Sequence, residues 1–237
     1  HYIGWWQGIV FVLQAIAAVV AVRCAGQKSL IAILIAVLLL MVSPVMLWRM
    51  GHTALMTHCL IIFSIANYFC AIRSRYSPDK AANIQVLLLL VAFLIHPYFL
   101  AMNGIFFVAL LFLLYQHHNN SYKKIFEKIV LFTVPLLFIA YVCGYFGQNT
   151  TAGGFGYYSM NLASPFCGGR LLQCDIDGTG GQGEGFAYLG AGVLWLSFVA
   201  LYYYRKELKK LVLSHTPMFV LSCLLVFYAL SHSIYLG

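Results

Sequence analysis

Acidic side chains are scarce in this chain, with six Asp and Glu among 237 residues and charged residues totalling 8%. Soluble domains carry roughly 25% charged residues, so a water-solvated globular domain is excluded. A repeat of solenoid length is missing, and so is any phosphate-cradling glycine loop. No basic n-region precedes the apolar stretch that opens at Trp5, so no signal peptide is recognisable. The abrupt start at His1 and end at Gly237 predict a piece of a longer protein.

Apolar residues fill the space that charge leaves, at 62% of the chain. Runs of membrane-spanning length are predicted near residues 5–22, 30–48, 54–72, 82–95, 98–115, 129–145, 187–204 and 215–231. Each must be helical, because hydrocarbon offers no partner to a free peptide group. The fourth run, 82–95, holds only about 14 residues and predicts an incomplete span of about 21 Å. The fold class expected is all-α: a polytopic bundle of about eight transmembrane helices with one long extracytoplasmic loop.

The net charge of +8 would suggest nucleic acid in a soluble protein. Here the basic residues sit in short gaps beside apolar runs, so nucleic acid is rejected as a partner and membrane lipid preferred. Of the 14 Lys and Arg, 12 fall in alternate gaps: Arg23 and Lys28; Arg73, Arg75 and Lys80; Lys123, Lys124 and Lys128; Arg205, Lys206, Lys209 and Lys210. Only Arg49 and Arg170 fall in the other set. The positive-inside rule makes the first set cytoplasmic. The beginning of the chain, the turn at Arg49, the His96-Pro97 break and residues 146–186 are then extracytoplasmic.

That outer side holds the unusual residues. The 146–186 loop far exceeds the usual 12–15 residues of a structureless connection. It carries Phe155, Tyr157, Tyr158, Phe166 and Phe186 among glycines. Aromatic faces of this kind suit sugar rings, or alternatively a belt at the lipid headgroups. Cys167 and Cys174 could close a small disulfide loop around Arg170. The remaining cysteines, Cys24, Cys59, Cys70, Cys143 and Cys223, lie in or near helices and are assigned to packing. Asp175-Ile176-Asp177-Gly178 resembles part of a calcium loop without its later ligands, so a divalent cation is the one cofactor raised; a solvated acidic turn is the alternative. Glu184 lies between Gly183 and Gly185 just before a helix, as a candidate catalytic carboxylate or as an N-terminal cap. Arg49 suits a phosphate, or a snorkelling helix end. His52, His58 and His96 share its side, with Pro97 stopping the helix ladder beside His96. No site is assigned to His117, His118 or Glu127 on the cytoplasmic side.

Three stretches carry a resemblance: Arg49 to Leu55; Gly156 to Leu162 leading into Ser164-Pro165-Phe166; and Gly181 to Gly190. They resemble an uncharacterised family of bacterial polytopic membrane proteins associated with the GT-C glycosyltransferase fold. The resemblance implies a transferase in the bacterial inner membrane that uses a polyprenyl-phosphate-linked sugar at its outer face. It also implies a catalytic acid in the first outward loop, whereas no outward acid precedes Asp175 here; the principal base is therefore expected outside this sequence. Glu184 matches the family's glycine-flanked glutamate, and Arg49 with His52 its basic turn. Substrate contacts are accordingly expected from Arg49, His52, His58, His96, Arg170, Tyr157 and Tyr158. A transporter, flippase or polymerase for lipid-linked glycans is the alternative, and it predicts polar side chains through the membrane depth.

Overall fold

The computed structural model describes residues 2–119, 121–147, 163–167, 188–212, 220 and 223–224. Among these, regular structure is entirely helical. Six helical stretches are long and apolar enough to cross a membrane: Tyr2–Cys24, Leu30–Gly51, Thr53–Ile72, Pro78–Ile95, Pro97–His117 and Tyr122–Val142. The chain divides into two compact units, one of His1–Met41 with Met50–Asn149, the other of Val42–Arg49 with Thr150–Gly237.

The first unit contains α1 (Tyr2–Cys24), α2 (Leu30–Met41), α4 (Cys59–Ile72), α5 (Pro78–Ile95), α6 (Pro97–His117) and α7 (Tyr122–Val142). Helix α5 corrects the expectation of a short span. Ser77 caps it by accepting the Lys80 N–H at 3.2 Å, Pro78 fills the first turn and Asp79 complements the dipole there. Its 18 residues reach about 27 Å. The expected start at 82 excluded these polar residues as loop, yet they are what begins the helix. Helix α7 likewise starts at Tyr122 rather than near 129, its basic first turns steadied by the Lys124–Glu127 pair at 2.8 Å. The second apolar run is not continuous. It stops at Met41, and Ser43 takes an extended conformation (φ −54°, ψ 125°) before Pro44 opens α3 (Pro44–Trp48).

Small and polar residues hold this unit together, as they must where lipid removes the hydrophobic drive between helices. Ala17, Ala81, Ala82 and Ala92 are fully buried. Gln85 Nε2 donates to Ser64 Oγ at 2.9 Å and to the Asn103 carbonyl at 3.0 Å. Asn67 Nδ2 donates to the Ala81 carbonyl at 2.8 Å and to Gln85 Oε1 at 3.3 Å. This network ties α4, α5 and α6 to one another. Large apolar side chains such as Leu34, Leu38, Leu87 and Phe138 point outward, as lipid contact requires.

The two ends of the unit differ in chemistry. A disulfide joins Cys24 at the end of α1 to Cys70 near the end of α4, with Cα atoms 5.4 Å apart. This corrects the packing role expected of both: 46 residues separate them in sequence, so no local spacing marks the pair. At the same end Arg75 donates to the Arg23 carbonyl at 2.7 Å, and His118 Nε2 meets Asp79 Oδ2 at 2.6 Å. Every Lys and Arg of the unit belongs to this end. The opposite end has histidine, tryptophan and broken helices.

In the second unit, α8 (Ala191–Tyr203) is shorter than the expected 187–204, and α9 (Arg205–Val212) turns the expected basic connector into a short amphipathic helix. The expected 215–231 span lies mostly outside the described residues.

Candidate functional site at the end without lysine or arginine

Residues 49–58 fold into two short 3-10 turns, Arg49–Gly51 and Thr53–Met56, before α4 begins; Arg49 itself belongs to the second unit and Met50 onward to the first. These turns are fastened to α1. The Trp6 indole N–H donates to the Thr53 carbonyl at 2.9 Å, and Gln7 Nε2 to the Met50 carbonyl at 3.1 Å. Next to them lies a cleft of about 340 Å³ lined by Tyr2, Trp6, Thr53, Ala54, Leu94 and Ile95. His52 precedes one wall residue and His96 follows another. None of the six lining residues is marked by sequence spacing, since they come from three segments.

His96 does two jobs at once. Its extended backbone (φ −163°, ψ 130°) ends α5, and its Nδ1 accepts the Tyr98 N–H at 3.3 Å to cap α6. Accepting through Nδ1 leaves the neutral ring with its hydrogen on Nε2, as a donor. Burial holds the His96 pKa below the ordinary histidine value, so the ring is neutral near pH 7. His58 precedes α4, half-buried, with its ring set edge-on against Phe99 at 6.1 Å. Phe99 lies in the first turn of α6, so His58 and His96 stand at the same end of the unit. His52 is exposed.

In the second unit, the described ends of the second and third resembling stretches pack beside the short helix that leads to Arg49. The Leu189 N–H donates to the Pro165 carbonyl at 3.1 Å, joining the third stretch to the second. Gly190, at φ +91°, lies against the Pro44 ring; a Cβ there would stand 3.8 Å from it. Pro44 begins the helix whose C-cap is Arg49, the first residue of the first stretch. Tyr188 and Cys167 are buried at this junction, and Cys167 is disulfide-bonded. Tyr157, Tyr158, Arg170, Cys174, Asp175, Asp177 and Glu184 lie outside the described residues.

Fold and composition define a multi-pass membrane protein whose regular structure, among the described residues, is helical. Over residues 1–237 the sequence matches the family described as Domain of unknown function (DUF6311), and the chain belongs to that family. No curated protein and no solved structure matches it.

Proposed function

We propose that the protein is a GT-C-like membrane glycosyltransferase that takes a sugar from a polyprenyl-phosphate carrier at the outer face of a bacterial inner membrane. The first end of α1, the 3-10 turns and the His96-Pro97 break lie on that face. The observation that supports the reading is the packing of Gly190 on Pro44, at the start of the Pro44–Trp48 helix and more than 100 residues away in sequence, with the neighbouring Leu189 bonded to Pro165. This packing puts Arg49, the C-cap of that helix, in the same compact unit as Pro165 and Leu189.

The chemistry needs a cationic group on the departing phosphate and a carboxylate that activates the acceptor. Arg49, with Arg170, supplies the first, since a guanidinium binds phosphate in a bidentate fork. His52, His58 and His96 would add ring N–H donors. Tyr157 and Tyr158 would offer faces for the sugar, and Glu184, just before an apolar run, is the candidate carboxylate. Asp175 and Asp177 would hold a divalent cation if the reaction uses one. Transfer from a radiolabelled polyprenyl-phosphate sugar, measured on membranes containing the protein, tests this directly. Arg49→Ala and Glu184→Gln are expected to lose transfer by at least tenfold; unchanged transfer in both removes the assignment.

A transporter or flippase for lipid-linked glycans is the second reading. It is favoured by the buried polar layer of Ser64, Asn67, Gln85 and Asn103, in which the Asn67 and Asn103 amide oxygens have no hydrogen-bond partner. Movement of a lipid-linked glycan across proteoliposomes without bond cleavage would select it.

A further inference from the structure

We propose that Asp79, His117 and His118 form a binding site for a divalent transition-metal ion at the basic end of the first unit, at the opposite end of its helices from the cleft. Asp79 lies in the first turn of α5, and the two histidines end α6. Antiparallel packing of these helices places one donor atom from each of the three residues within 4.8 Å of the other two. Two donors at about 2.1 Å from one ion stand about 3.4 Å apart in tetrahedral geometry. Closing that difference takes a small rotation of His117, which is exposed and touches the His118 ring at 4.9 Å between centroids.

Two imidazoles and one carboxylate suit zinc, cobalt, nickel or ferrous ions, and disfavour magnesium and calcium, which prefer all-oxygen shells. His118 would exchange its 2.6 Å contact with Asp79 Oδ2 for a shared ion. The other carboxylate oxygen is already held, with Lys128 Nζ 3.6 Å from Asp79 Oδ1. Lys128 is itself buried and anchored to Asn83 Oδ1 at 2.7 Å. This outer support restricts Asp79 to one coordinating oxygen and fixes its direction. Three protein donors leave a further coordination position open to water. Bound there, the ion would clamp the α5 start to the α6 end, with α7 attached through Lys128.

The test uses the protein in detergent micelles, purified without a polyhistidine tag and stripped with EDTA, and titrated with Co²⁺ and then Zn²⁺. Expected are visible d–d bands saturating at one Co²⁺ per chain, loss of the bands on Zn²⁺ addition, and a rise in Tm with Zn²⁺. Both His117→Ala and Asp79→Asn should weaken Co²⁺ binding by at least tenfold. His117→Ala should keep its Tm in EDTA, because that side chain is exposed, so it decides the matter even if Asp79→Asn misfolds. His52→Ala should bind like the wild type. No stoichiometric Co²⁺ spectrum in the wild type, or equal binding in His117→Ala, overturns the site and leaves an Asp79–His118 ion pair.

Discussion

Replacing Gln85 with leucine tests whether polar contacts or apolar packing hold α4, α5 and α6 together. Gln85 is fully buried and makes three side-chain hydrogen bonds, two donated and one accepted. Such bonds between membrane helices average about 0.6 kcal/mol each, with a maximum near 1.7. Leucine has a similar volume, so no large cavity offsets the comparison. Gln85→Leu should therefore cost about 2 kcal/mol. Asn103 is buried to the same degree, but its side chain donates only to the Phe99 carbonyl of its own helix, at 2.8 Å. Its backbone carbonyl, which receives Gln85, survives substitution. Asn103→Leu should then cost no more than about 0.6 kcal/mol. Unfolding in mixed micelles of rising dodecyl sulfate fraction, followed by circular dichroism, measures both. Equal costs, or the reverse order, would refute a network-held bundle in favour of packing by Ala81, Ala82 and Ala92.

Acidification should loosen the start of α6. The unfolded chain protonates His96 at about the ordinary value of 6.5, and the folded chain only below it. Stability is thus full above that value and falls as pH drops toward the folded pKa, because the unfolded state binds the extra proton. Melting from pH 7.5 to 5 should show this slope, and His96→Asn, which keeps a cap acceptor, should flatten it. Serine at both Cys24 and Cys70 should lower Tm. The closed loop of about 47 residues sets an upper limit near 4 kcal/mol in the chain-entropy account, reduced because membrane insertion already restrains the reference state. Cys143, free and exposed just past α7 at the histidine-bearing end, should react with an impermeant maleimide in intact cells, and Cys143→Ser should abolish that signal.

Membrane crossings were legible in the sequence because hydrocarbon imposes one requirement on every residue in a span, and hydropathy reports it. The limits of the helices were less legible. At Ser77-Pro78-Asp79 the polar residues that look like loop are the cap, dipole partner and first turn of α5. At Ser43-Pro44 an apolar run conceals a break, since proline acts on the backbone and leaves mean hydropathy unchanged. Long-range pairs were invisible: Cys24 with Cys70, and Asp79 with His118, depend on which helices neighbour one another. Around the cleft of the first unit, the histidines drew notice through their chemistry. Tyr2, Trp6, Leu94 and Ile95 did not, because an apolar residue in a membrane helix reads the same whether it faces lipid or lines a cleft.

The basic end poses a conflict that bears on sidedness. Eight of the 14 Lys and Arg lie there and by the positive-inside rule favour the cytoplasm for it, whereas a disulfide between Cys24 and Cys70 belongs by habit to an oxidising compartment. The two signals differ in what they measure. Charge bias acts during insertion, when each gap is held or passed, and its alternation over four gaps is hard to produce by chance. A disulfide reports compartment only if cellular thiols can reach it. Cys24 and Cys70 are 8% and 2% exposed, packed against Val20, Ala21, Ala66 and Phe69, so attack by a thiolate is blocked by access rather than by redox poise. Charge therefore outweighs the bridge as evidence of orientation. External labelling of Cys143 would leave the bridge as a buried, shielded staple on the cytoplasmic side. Labelling only after permeabilisation would invert the first unit, and its cleft and the turn at Thr53–Met56 would then face the cytoplasm, where no outward-facing lipid-linked donor could meet them.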